Sequence, residues 1–169
     1  MKFQSDFLYV SIVFHIFATK ISNYINIMNY VDLGLQSGTC WCDCNLGADS
    51  SADYGTMFSF ADAQRQGVTL PTHRQIQELK FFCKREWKTK NGINGCEFTG
   101  PNGKTIFMPA CGRIDGSLQG RGVNGFYWTN ETGGIRPGLA WNLMICDSWA
   151  EDGCADVQRC HAVRPVKMK

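Results

Sequence analysis

The sequence lacks most of the patterns that announce an enzyme or a nucleic-acid binder. It carries no Gly-x-Ser-x-Gly elbow, no P-loop and no dinucleotide fingerprint, so the chemistries built on those motifs have no starting point in it. Its 17 basic and 15 acidic side chains are interspersed, for a formal net charge of +2. Without a basic stripe, nucleic acid is not an implied partner. No apolar run reaches the ~20 residues of a membrane-spanning helix. The clearest such run, Phe7 to Ala18, falls well short of that. The usual zinc spacing of two C-x2–4-C pairs is absent. Fixed-period repeats, coiled-coil heptads and low-complexity tracts are missing too.

What is present fits one compact domain with a short appendage: 169 residues, of which 44 % are apolar. Eighteen glycines beside 12 % aromatics imply a loop-rich fold of short strands. The nine cysteines are Cys40, Cys42, Cys44, Cys83, Cys96, Cys111, Cys146, Cys154 and Cys160. An odd number leaves at least one thiol unpaired in a monomer. A secreted chain would form one or two bridges; in a cytosolic chain the same residues act as small buried hydrophobes.

Residues 1–29 read apart from the rest. Phe7–Ala18 has the size of a signal-peptide core, although Asp6 precedes it and Thr19-Lys20 follows in place of a clean cleavage site. Ile21, Tyr24, Ile25 and Met28 recur at helix-like spacing. Three readings stay open: a leader or membrane anchor, an interaction helix, and a non-native extension upstream of a start at Met28.

In residues 30–166, Tyr30–Leu35 reads as an opening strand and Thr39–Asn45 as a second, alternating one. Gly55–Phe60 is a short aromatic strand, and Ala61–Val68 a loop. Thr72 with Gln75 makes a capping box. The helix that follows shows Ile76, Leu79, Phe82 and Cys83 on one face, turns Gln77, Lys80 and Lys84 away, and ends near Lys84 to Glu86. Gly95–Thr99 and Lys104–Met108 form a hairpin about Gly100-Pro101-Asn102-Gly103. Pro109–Gly125 is irregular and Phe126–Asn130 a strand. Leu139–Cys146 is the most convincing strand, with Trp141, Leu143 and Ile145 on one face. Asp147–Asp156 reads as an acidic loop, Val157–Val166 as a closing strand and residues 167–169 as a tail. The pattern is α+β.

The segments Val31–Ala48, Asp53-Tyr54-Gly55, Leu70-Pro71-Thr72 with its helix, Trp87–Pro109, Gly125–Thr129 and Val163–Val166 occur in an order that resembles the Fibrobacter succinogenes major paralogous domain family. The resemblance spans nearly all of residues 30–166. It implies a C-type-lectin-like fold, also similar to that of formylglycine-generating enzymes, with short antiparallel strands, one or two helices and long loops. It implies a Bacteroides-like cell-surface setting, and some variable proteins of diversity-generating retroelements share the fold. The segment between Phe60 and Leu70 is shorter than the family pattern, and Cys40, Cys42, Cys96 and Cys111 depart from it. Cys44 and Cys83 fit it, and are the pair it implies for a disulfide in an oxidising compartment.

At each remaining motif a chemical role competes with simple packing. Cys40, Cys42 and Cys44, with His161 or Cys160, form a zinc candidate, but buried packing with one possible disulfide is the preferred reading. Cys146, Cys154 and Cys160 are the thiols a formylglycine-type oxidase would draw on, although a thiolate needs an electropositive, partly exposed setting. His73 reads as solvated and His161 as a satisfied structural histidine. The Glu-Pro-Asn or Gln-Pro-Asp triplet of lectin calcium sites is absent, and Trp141-Asn142 is followed by Leu143. No catalytic residue, metal or cofactor is therefore expected.

What remains is a surface. The loops entering and leaving the Leu139–Cys146 strand offer Asn130, Glu131, Arg136, Asn142, Asp147, Trp149, Glu151, Asp152 and Gln158, a mixture of aromatic, charged and amide groups suited to recognition. The expectation is a non-catalytic module of a surface or phage-associated protein that binds a protein or glycan. The alternatives are an oxidase relative and a structural fibre or virion subunit. Localisation follows the leader: secreted or cell surface if residues 1–27 are a signal, cytoplasmic or virion if not.

Overall fold

The computed structural model describes residues 28–169, so the leader, anchor and extension readings lie outside the described residues. In chain order the elements are β1 (Tyr30–Asp32), β2 (Thr39–Cys42), β3 (Met57–Phe58), α1 (Phe60–Ala63), α2 (His73–Phe82), β4 (Lys84–Lys90), β5 (Ile93–Thr99) and β6 (Thr105–Pro109). There follow β7 (Arg113–Asp115), β8 (Ser117–Gln119), β9 (Gly125–Thr132), β10 (Leu139–Ile145), β11 (Ala150–Asp156), β12 (His161–Ala162) and β13 (Val166–Met168). The chain is thus mixed α+β, built mostly from small antiparallel sheets.

The largest sheet has the order β11-β10-β9-β12-β3, with β9 and β12 parallel and its other pairs antiparallel. β4-β5-β6 is a meander and β7-β8 a small hairpin. β1-β2-β13 unites the first and last of the described strands, and pairing of Lys167 with Cys40 and Met168 with Thr39 carries the fold past Val166.

Local chemistry explains these elements. The Thr72 hydroxyl accepts from Gln75 N while Gln75 Oε1 accepts from Thr72 N at 2.8 Å, closing the capping box expected at α2. The 100–103 turn forms as read: Gly103 takes φ +80°, and Asn102 Oδ1 accepts from Lys104 N at 3.0 Å. Gly100 lies so close to Leu33 that a Cβ there would sit 2.0 Å from the Leu33 carbonyl oxygen.

Several elements differ from the reading. α2 stops at Phe82 because Cys83 is already extended (φ −101°, ψ 140°) and leads directly into β4. The Gly55–Phe60 strand shrinks to Met57–Phe58, and Ser59 caps one helical turn, α1, which runs from Phe60 into the expected loop, by accepting from Asp62 N at 3.2 Å. Pro109–Gly125 holds the β7-β8 hairpin. Asp147–Asp156 is largely strand: β11 pairs with β10 along its whole length, from Leu139↔Asp156 to Ile145↔Ala150. It is an edge strand, where charged residues are the rule, so its acidity imitates a loop. The closing segment is split into β12 and β13 around residues 163–165.

The core lies on both faces of the large sheet. Ile76 and Leu79 of α2 meet Tyr127, Leu143 and Ile145 on one side. Leu46, Ala63 and Leu70 cover Trp128, Ala140 and Val163 on the other. Adjacent Tyr127 and Trp128 serve opposite clusters, as strand alternation requires.

Candidate functional site

The Leu139–Cys146 segment forms an interior strand, second from the edge of the large sheet: β10 pairs on both sides, Leu143 and Ile145 are buried, and Trp141 is half-buried. Its two connections, however, lie at opposite ends of an antiparallel strand. Seven residues at ~3.3 Å each hold them roughly 20 Å apart. The nine candidate residues therefore do not share one face.

Arg136 is exposed on the 133–138 loop beside a fully exposed Ile135. Asn130 is exposed where β9 meets Pro71, and Gln158 is exposed after β11. Asn142 is 1 % exposed and pairs in register with Trp128 and Gly153, and neither atom of its amide has a partner. It is sealed inside the molecule and cannot touch a ligand there, which removes it from the expected set.

Glu131, Glu151 and Asp152 do converge, with α2 as their meeting point. His73 N donates to Glu131 Oε2 at 3.2 Å, and His73 Nε2 is 2.5 Å from Asp152 Oδ2. The His73 ring stacks on Trp141, 3.8 Å between centroids and 10° from parallel. Lys80 Nζ bridges Asp152 and Glu151, the latter at 2.9 Å. His73 is thus a half-buried clamp rather than a solvated residue, and the Lys80 side chain is sequestered rather than turned away. Both follow from α2 lying across β9, β10 and β11. Burial alone would raise the Asp152 pKa, but the Lys80 and His73 hydrogen bonds outweigh it and hold the carboxyl at about 2. Burial works to lower Lys80, and its two carboxylates reverse this, so its pKa is raised.

The end of α2 carries an aromatic edge. Ile76, Leu79 and Cys83 fall on one stripe at 100° per residue, and Phe82 falls beside it. Phe82 is 62 % exposed, contrary to its expected place in the core, and Phe81 is 74 % exposed. Lys80 Nζ stands 5.6 Å from the Phe81 ring. Trp149, 41 % exposed, lies in the β10–β11 turn next to exposed Asp147. Arg85 fastens that turn: its guanidinium donates to the carbonyls of Cys146 (3.1 Å), Asp147 (2.9 Å) and Ser148 (3.1 Å). A shallow groove of about 670 Å³ runs along α2 from Gln36 and Ser37 to Phe81 and Phe82.

Sequence reasoning missed His73, Lys80, Phe81 and Arg85 as parts of this region. The Phe81-Phe82 pair was a usable signal, since consecutive helical residues cannot both lie on a narrow apolar stripe. Arg85 gave none, because its three acceptors are backbone atoms 61 to 63 residues away.

All nine thiols are free, and Cys44 and Cys83 are not bridged. Cys44 Sγ lies 4.0 Å from Cys42 Sγ, while Cys83 sits at the end of α2, its thiol pushed up to about 11 by burial and then by Glu78. Cys146, Cys154 and Cys160 lie past the end of β10, in β11 and before β12, and burial raises the Cys154 and Cys160 thiols away from thiolate character. His161 is structural but not satisfied. It is buried and stacked on Trp128 at 3.9 Å, and neither ring nitrogen has a partner. Burial foremost, then Arg113 and Arg159, drives its pKa down to about 3.

Among the described residues no helix is long and apolar enough to cross a membrane. No family model, curated protein or solved structure matches the chain.

Proposed function

We propose that the chain is a non-catalytic recognition module with a C-type-lectin-like domain, part of a surface or phage-associated protein, that holds a protein or glycan ligand. The ligand engages Phe81 and Phe82 at the end of α2 and Trp149 in the β10–β11 turn, flanked by Lys80, Glu151 and Asp147. The observation that carries this reading is the exposure of three large aromatics on fixed elements. Phe81 and Phe82 end a helix locked to β11 through Lys80, and Trp149 sits in a turn held by three Arg85 hydrogen bonds. Large rigid aromatics beside charged groups are the usual anchors of an interface and lose little entropy on binding. The groove along α2 gives an extended ligand room beyond the edge.

The test is to screen the purified chain against immobilised glycans and a random-peptide display library. Trp149→Ala and Phe81→Ala are run beside the parent. The reading expects a bound class of glycan or peptide, lost at least tenfold in both variants with melting temperature unchanged. Equal capture by parent and variants would overturn the edge. Activity toward a cysteine-containing peptide would favour the oxidase alternative, and self-assembly into fibres the structural one.

A further inference from the structure

We propose that Cys42, Asp43 and Cys44 form a binding site for a thiophilic divalent cation, Zn²⁺ by its donor set, entered through the adjoining cavity. The inference is independent of the recognition reading.

The case begins with spacing. Cys42 Sγ and Cys44 Sγ are 4.0 Å apart, Asp43 Oδ1 is 4.0 Å from Cys42 Sγ, and the three donor atoms lie within 4.8 Å of one another. Two thiolates bound tetrahedrally at ~2.3 Å from zinc stand about 3.8 Å apart. The observed sulfurs are within a few tenths of an ångström of that edge. A disulfide would need ~2.05 Å between the sulfurs, so at 4.0 Å they are spaced for an ion between them rather than for a bond.

The backbone holds the donors in place. Cys42 ends β2, between β1 and β13. Its N–H donates to the Pro165 carbonyl at 2.8 Å, its carbonyl accepts from Arg164 at 3.0 Å, and Asp43 N donates to the Asn29 carbonyl at 2.9 Å. Ligands fixed in this way lose little freedom on metal binding. Cys44 and Asp43 open onto a cavity of about 250 Å³ that Met28 and Asp49 also line. It gives access, and room for water or one of those side chains as a fourth ligand.

Charge supplies a second, independent observation. Arg164 is fully buried, and its guanidinium is met by three neutral oxygens: Asn45 Oδ1 (2.9 Å), Cys42 O (3.0 Å) and Phe107 O (2.9 Å). No carboxylate among the described residues pairs with it. A buried cation is costly without a counter-charge. Zn²⁺ held by two thiolates and one carboxylate carries a net charge of −1 and provides one. Loading releases two thiol protons to solvent for each ion bound, with no change of oxidation state. Cys40 stays outside, its thiol directed at the Gly38 carbonyl, and His161 stacks on Trp128. The donor set is thus C-x-C with the intervening aspartate rather than the longer cysteine run.

The test is a Co²⁺ titration of the full reduced chain, followed by optical absorption and then by Zn²⁺ displacement. The proposal expects one equivalent to give a thiolate-to-metal charge-transfer band with the visible bands of tetrahedral cobalt, both erased by Zn²⁺. Cys44→Ser removes the charge-transfer band or halves it, and Asp43→Asn weakens binding at least tenfold. Cys154→Ser leaves the spectrum unchanged. No band at one equivalent, a full band in folded Cys44→Ser, or a band lost in folded Cys154→Ser would overturn the proposal. If Cys44→Ser does not fold, Asp43→Asn decides alone: unchanged affinity sinks the site.

Discussion

His161 and Asp152 give the chain an acid sensitivity that follows from the sign of each shift. The folded pKa of His161, about 3, lies below its ordinary 6.5 because the charged ring is excluded from the interior. Between those values the unfolded chain binds a proton that the folded one refuses, so stability is present above pH 6.5 and falls as pH drops toward 3. Asp152, held at about 2, adds a loss that begins near pH 4 and continues to 2. The His161 window contributes up to about 1.4 kcal/mol per pH unit. Urea midpoints should hold from pH 7.5 to about 6.5 and fall from there to 4.5, and His161→Phe should flatten the slope between pH 6.5 and 5. A parent midpoint that stays constant over that range would contradict the burial of a neutral ring. Arg164 gives a second residue-scale expectation. Arg164→Met strands three buried oxygens, and should cost about 3 kcal/mol or more by denaturant titration. Neither residue was legible beforehand: nothing in Val163-Arg164-Pro165-Val166 says that the arginine points inward, and a lone histidine on a strand reads the same whether its nitrogens are paired or not.

Elements were legible where local chemistry governs them. Thr72 and Gln75 marked the start of α2 to the residue, and Thr72→Ala should lower stability by about 1 kcal/mol through the lost cap, checked by thermal melts. Gly100-Pro101-Asn102-Gly103 marked its hairpin for the same reason, since turn dihedrals are set by the four residues themselves. The far end of α2 was not legible. Phe82 completes an apolar pattern on paper, while the chain leaves the helix at Cys83 to place Trp87 against the core. β11 was hidden by its edge position: Glu151, Asp152 and Gly153 look like loop, yet pair residue for residue with Met144, Leu143 and Asn142.

At the scale of the whole molecule, long-range pairing decides what alternation cannot show. The α+β pattern was readable, and so was the Trp141 segment as a strand. Its flanking connections being at opposite ends was not, because that depends on which strands neighbour it. The first and last described strands share one sheet, where β13 hydrogen-bonds to β2. Deleting residues 166–169 should therefore lower the melting temperature by several degrees and expose β2, seen as faster amide exchange at Cys40 to Cys42; exchange unchanged at those amides would show that β13 contributes nothing.

The recognition account places the ligand against Phe81, Phe82 and Trp149 and away from the 133–138 loop. Chemical-shift mapping during titration with a glycan or peptide taken from the screen separates these directly. The account predicts movement of both phenyl rings and the Trp149 indole, with Arg136 and Gln158 amides still. Movement confined to the 133–138 loop, or spread with no centre at the end of α2, would contradict it.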